Sequence, residues 1–380
     1  MSAALLDEFG VGDARERDES WRYSRTALRA LAQQEFAEAD PQALLEAPLV
    51  ARFDWPQTRG RRLVFVNGVY SDTHSDVANI AASVNVRHEG QRFLLSVTGD
   101  CLEPLHVVYA SVPGAAAARW QAAMDIDVVA GQASVIVQYA GAAGADVLGA
   151  LHSRIAISPR AGLHLATLSD LPDSVSHYRR VNTSVAQGAA CCFTDAIFGG
   201  RLQRADLNID LVGEGARLES RGVFVLRGRQ HSDMHLAIRH AARDTTCDVL
   251  WRGVADQRAR GVFHGAITVA PGADGADARL SNKNLLLSAH AEIDTQPVLE
   301  IYADEVKAAH GATVGQLDET ALFYLRSRGV PATMARSLLI AGFCREAFAG
   351  IADVGVRGRV DALLAERLPF SQSDRDEATG

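Results

Sequence analysis

Lysine is nearly missing from this chain of 380 residues: it stands only at 283 and 307, and the rest of the 38 basic residues are arginines. Against 46 acidic residues the net charge is −8. That leaves no global basic field to hold nucleic acid or an anionic membrane. Cysteine is scarce and odd in number: Cys101, Cys191, Cys192, Cys247 and Cys344. No pair has metal-finger spacing, which excludes a sequence-evident zinc module and fits a reduced, cytoplasmic setting. No apolar run is long enough to cross a bilayer. Residues 1–9 turn acidic before a signal core forms, so export is not expected. The phosphate-cradling pattern GxxxxGK(S/T) is missing, and Gly213-Glu214-Gly215 lacks the third glycine of a dinucleotide fingerprint, so ATP hydrolysis by this chain is not expected.

What remains is a chain with 48% hydrophobic residues, enough for a sizeable core and too long for one small domain. Residues 1–60 read as a helical region, with Leu28 and Leu31 at helical spacing and Pro41 placed to open a helix. Residues 61–315 change grammar. Residues 63–66 with Asn67-Gly68 read as a strand and a tight turn. Short apolar segments then recur at 135–137, 163–165, 207–211, 223–225, 234–238, 267–269, 285–287 and 299–301, several alternating apolar and polar. The small-residue patches 113–124 and 139–150 leave short helix and loop both open. No run of long helices interleaves the strands, which argues against βαβ units. A sandwich, a barrel and a β-solenoid all fit, and no fixed repeat length separates them. Residues 316–380 return to helix. Asp318 is a cap for a helix with Leu322 and Leu325 on one face, Gly329 a stop, and Pro331 the opening of a second helix with Leu338, Leu339, Phe343 and Phe348 inward. A third helix fits 358–368, and the last dozen residues are polar.

One stretch carries more. Residues 310–329 begin His310-Gly311-Ala312-Thr313-Val314-Gly315 and run into the capped helix, after Leu299-Glu300-Ile301-Tyr302. This segment resembles the C-terminal signature of SufD, of the SufB/SufD family of iron–sulfur cluster assembly proteins; Trp21-Arg22-Tyr23-Ser24 adds a weaker likeness. The resemblance is densest over 282–345 and faint before 125. It implies a mainly β fold, a right-handed parallel β-helix flanked by N-terminal and C-terminal helices. It implies a non-catalytic scaffold of the SufBCD complex that pairs with SufB through a β-helix end, or with itself where SufB is lacking. It also implies docking of the SufC ATPase on the C-terminal helices, with Phe323, Tyr324, Leu325, Arg326 and Arg328 as the candidate surface. No stably bound cofactor is expected, only transient iron or a nascent cluster at the SufB junction.

His310 is the leading site residue. At a strand end it is either satisfied by its own backbone or open to a neighbouring chain, and the resemblance favours the second and a part in cluster building. Many SufD sequences carry cysteine two positions earlier, where this chain has Ala308; a junction thiolate would then come from SufB. His231, Asp233 and His235 fall at alternate positions and share one strand face, suggesting a two-histidine, one-carboxylate metal site, against the plainer reading of a solvated outer face. By resemblance Asp233, His235 and His240 are the weaker metal candidates. Cys247, after a polar run, is the thiol expected to be exposed, whereas Cys191 and adjacent Cys192 point to opposite faces. Glu300, Asp304 and Glu305 read as a solvated face. Two other classes stay open: a polysaccharide-acting β-helix enzyme or adhesin, and a metal-dependent hydrolase.

Overall fold

The computed structural model describes residues 21–114, 116–348 and 354–368. The helical pattern expected before residue 21 and the polar last dozen residues lie outside the described residues. The described strands are, in chain order, β1 (Ala37–Glu38), β2 (Arg62–Val66), β3 (Val69–Tyr70), β4 (Val84–Glu89), β5 (Arg92–Val97), β6 (Cys101–Ser111) and β7 (Ala118–Val128). Then come β8 (Gln132–Gly141), β9 (Val147–Ile157), β10 (Gly162–Leu171), β11 (Ser176–Val185), β12 (Ala190–Gly199), β13 (Leu202–Leu211) and β14 (Arg217–Leu226). The last are β15 (His231–His240), β16 (Thr246–Ala255), β17 (Arg260–Val269), β18 (Asp277–Leu286), β19 (Glu292–Ile301) and β20 (Lys307–Gly315).

Odd strands from β5 to β19 stack in one sheet and even strands from β6 to β20 in the other. Each turn of chain lays one strand on each sheet, a parallel β-solenoid of about eight turns. Side chains alternate in and out. On β13, Ala205, Leu207, Ile209 and Leu211 enter the shared core while Asn208 and Asp210 face outward. Each buried Leu or Ile contributes about 1.5–3 kcal/mol, repeated coil on coil.

The rung length explains the missing repeat. Ser176 pairs with Leu202, 26 positions on, whereas Arg260 pairs with Glu292, 32 positions on. Turns absorb the variation, so strands stay in register while the sequence period drifts. The ambiguous patches 113–124 and 139–150 contribute strand, in β7, β8 and β9, and not helix. Their small residues make room for tryptophan. A Cβ on Gly149 would stand 2.5 Å from Trp120 Cζ2, and Gly222 meets Trp251 at the same distance. Both indoles also donate to interior hydroxyls, Trp120 to Ser111 at 3.0 Å and Trp251 to Ser220 at 3.1 Å. The Asn67-Gly68 turn joins antiparallel β2 and β3 with φ of 47° and 83°, as a two-residue hairpin requires.

Helices cover the flanks. α1 (Arg25–Ala32) lays Leu28 and Leu31, with Trp21, on Leu148, Ala150, Tyr178 and Leu202 of the odd sheet. Pro41 opens no helix: Asp40 Oδ1 accepts from Gln42 N at 2.9 Å in a turn, and α2 (Ala47–Ala51) starts later. α3 (Glu319–Ser327), α4 (Ala332–Arg345) and α5 (Val354–Arg367) follow the solenoid. Asp318 caps α3, accepting from Thr320 N at 2.8 Å, and Gly329 closes its end at φ 84°. α4 and α5 seat Ile340, Cys344, Val360, Leu363 and Leu364 on Leu168, Phe198, Val223 and Val225. The apolar stripe thus covers the outer flank of the even sheet, where those strands point hydrophobic side chains outward. Leu338, expected inward, is exposed.

Candidate functional sites

The solenoid ends on two strands that each pair on one side only: β19 with β17 and β20 with β18. On β20, Ala308 registers with Ala278 and His310 with Leu280. Ala278 and Leu280 belong to the interior core, so parallel stacking puts Ala308 and His310 on the same inward face. Among the described residues no later coil covers that face, and His310 is exposed. Ala308 packs half-buried on the core edge; a thiol there would have shared the face with the imidazole. One coil deeper lies a polar layer that sequence reading missed. Thr295 Oγ1 donates to Asn282 Oδ1 at 2.8 Å, and Asn284 Nδ2 donates to the same oxygen at 2.6 Å and to Thr313 O at 3.1 Å. Its signal was available: Asn282 and Asn284 occupy apolar-parity positions of a strand. Ile301 at the end of β19, Tyr302 just after it and Val314 on β20 are exposed, an apolar rim to the last described coil.

The second histidine cluster differs. His231, Asp233 and His235 do share the outer face of β15, but that face is not solvated. The N-terminal segment lies over it, and Asp233 is 1% exposed. Arg204 Nη1 donates to Asp233 Oδ2 at 2.7 Å and Arg204 Nε to Asp206 Oδ1 at 2.7 Å. His235 Nε2 lies 3.0 Å from Asp233 Oδ1. Ser24 Oγ donates to Asp233 Oδ2 and lies 2.9 Å from His231 Nε2. The Trp21 indole covers the Arg204 guanidinium at 3.9 Å. Burial alone would raise the Asp233 carboxyl; Arg204, His235 and Ser24 outweigh it and hold the group well below the usual carboxylate range. Burial pulls His231 down to about 4, with Asp233 offsetting only part. The guanidinium supplies the positive charge that a metal would bring. Among the described residues no group of three His, Cys, Asp or Glu is placed to hold an ion. His240 is not part of this cluster. It points into the core, with Nδ1 2.8 Å from Thr245 Oγ1 and Nε2 3.2 Å from Cys247 Sγ, and burial takes it to about 4.

Cys247 is therefore buried, not exposed, and burial pushes its thiol up to about 12. Cys191 enters the core while Cys192 faces out, as strand alternation requires. Cys192 lines a groove of about 840 Å³ on the uncovered half of the even sheet, with His164, Glu219, Arg221 and Asp248. Burial and the Glu219 charge push its thiol up to about 11, so it carries no thiolate near neutrality. Glu300, Asp304 and Glu305 are exposed.

On the C-terminal helices, Leu322 is buried, but Phe323 and Tyr324 are 72% and 56% exposed. Met334 and Leu338 of α4 are exposed as well. Arg326 and Arg328 are exposed, Leu325 is half-buried, and the Arg328 guanidinium lies 5.1 Å from the Tyr324 ring centre.

The described residues form an open-ended parallel β-helix with helices on its flanks. Residues 121–343 match the family model of the SUF system FeS cluster assembly SufBD core domain. The chain belongs to this SufB/SufD family of iron–sulfur cluster assembly proteins. It is 32% identical to the iron–sulfur cluster assembly protein SufD of Escherichia coli over 57% of this chain and 52% of that one. With the SufD of Bacillus subtilis it shares 31% over 42% of this chain and 36% of that protein. An iron–sulfur cluster assembly SufBD family protein of Synechocystis is 27% identical over 93% of this chain and 87% of that one. The match thus spans about half the length of the E. coli relative and most of the cyanobacterial one. No described helix is long and apolar enough to cross a membrane.

Proposed function

We propose that this chain is the SufD-type, non-catalytic scaffold subunit of a SufBCD iron–sulfur assembly complex, working in the cytoplasm. The observation that carries the reading is the open solenoid end, where β19 and β20 leave unpaired edges and His310 faces outward from an uncovered inner surface. Free strand edges of this length invite pairing with another chain. The rim of Ile301, Tyr302 and Val314 supplies apolar area for the contact. SufB is the partner in this reading, and a second copy of this chain takes its place when SufB is lacking. Iron enters as cargo, met by the imidazole of His310; Ala308 offers no thiolate, so sulfur ligands come from the partner. SufC docks through Phe323, Tyr324, Leu325, Arg326 and Arg328, an apolar surface with a basic rim on α3 and its C-terminal end. SufC closure then strains the SufB junction and exposes or shields the assembly site.

Co-expression with SufB and SufC chains tests this. The expected product is a single complex holding one copy of this chain, one SufB and two SufC. Elution of this chain apart from both partners would overturn the reading.

A further inference from the structure

A pocket of about 530 Å³ opens between α1 and the turns that lead from the even to the odd sheet. Its size lies within the range of small-molecule sites. Three successive coils each send an arginine there from the same turn: Arg201 after β12, Arg229 after β14 and Arg258 after β16. Arg260, at the start of β17, adds a fourth, and no carboxylate lines the pocket among the described residues. In a chain of net charge −8 this concentration is local and one-sided. Arg201 is balanced by Asp146 at 3.1 Å and Arg260 by Glu292 and Asp294 at 3.0 and 2.9 Å. Arg229 and Arg258 are exposed and make no ion pair with the described residues. Arg260 Nε is shut from water without a hydrogen-bond acceptor. An atom closed to water is closed to a larger anion as well, so ligand contact falls to the exposed arginines. The lining from the N-terminal segment is of another kind: Tyr23 precedes α1, α1 adds Thr26, Ala27, Ala30 and Leu31, and Gln34 follows it, a largely apolar and uncharged set.

We infer that this pocket binds a phosphate-bearing small molecule. The Arg229 and Arg258 forks take the phosphate oxygens, and a flat apolar moiety lies against Tyr23 and α1. Guanidinium forks match phosphate geometry bidentately, and the stacking of coils fixes their spacing. The opposite polarity of the two walls favours an organic phosphate over a free inorganic ion. This site lies on the odd sheet's flank and does not depend on the assembly reading.

Calorimetric titration of the purified full chain with adenosine monophosphate, pyrophosphate and adenosine tests it. One adenosine monophosphate should bind per chain, pyrophosphate should compete, and adenosine alone should not bind. The double variant Arg229→Gln/Arg258→Gln should weaken adenosine monophosphate and pyrophosphate by about tenfold or more, the loss expected for charge-assisted forks. Both side chains are exposed, so the melting temperature of that variant should not move. Thr26→Trp, which fills the pocket without changing charge, should weaken adenosine monophosphate more than pyrophosphate. Equal affinities in the folded double variant, or competition by sulfate as strong as by pyrophosphate at matched ionic strength, would overturn the inference.

Discussion

His310 and His235 sit on the same kind of rung, a parallel strand in a stacked sheet, yet they end in opposite states. His235 is held against Asp233, beside Arg204, beneath a segment that brings Ser24 from 209 positions away. His310 has neighbours on one side only and an open inner face on the other. Residue type is the same, but His235 lies on an outer face covered by the N-terminal segment and His310 on an inner face left uncovered by the described residues, so coverage decides the outcome. A solenoid satisfies each coil with the next, so chemistry is free to act where stacking stops. A buried ion-pair network fixes how the N-terminal segment docks; it does not make a reactive centre.

Acid should break the covered region most severely. His106 and His177 are held down to about 3 and His231 and His240 to about 4, all mainly by burial. Each stays neutral in the folded chain while the unfolded chain takes up a proton below about pH 6.5. Stability contributed by their neutral burial is present above pH 6.5 and is lost as pH falls toward 4. The loss reaches about 1.4 kcal/mol per histidine per pH unit. Urea midpoints at pH 7, 5.5 and 4.5 should fall steeply; a flat series would contradict the burial argument. Arg204→Ala, which strands two carboxylates under Trp21, should cost about 3–5 kcal/mol by chemical denaturation. A loss below about 1 kcal/mol would show that the network is solvated. Gly149→Leu should cost about 1–3 kcal/mol or more by overpacking Trp120, read as a lower melting temperature. On the open surfaces stability should hardly move. Phe323→Glu/Tyr324→Glu should change melting little and remove SufC from the co-purified complex while SufB stays. Retention of SufC at full stoichiometry would place its dock elsewhere.

The parts legible in the sequence are those set by neighbours in the chain. Alternation marked 207–211 and 234–238 as strand, Asn67-Gly68 as hairpin, and Asp318 and Gly329 as helix limits, because each rests on local backbone chemistry. The solenoid itself was legible only through resemblance, since rungs of 26 to 32 residues hide the period in their turns. The small residues at 139–150 masked strands, and Gly149 is small because it admits Trp120 from another coil. The coverage of Asp233 and the exposure of Leu338 depend on which flank a distant helix takes, and local pattern does not encode that. For His310 the motif pointed to the residue, but its openness follows from β20 being the last coil among the described residues.

The most direct measurement is cluster formation by a complex of SufB, SufC and this chain carrying His310→Ala. Because the imidazole is exposed, the variant should fold within about 0.5 kcal/mol of the parent and assemble at unchanged stoichiometry. Iron–sulfur cluster recovered per complex should fall sharply. An intact complex that yields as much cluster as the parent would contradict a working role for the open end.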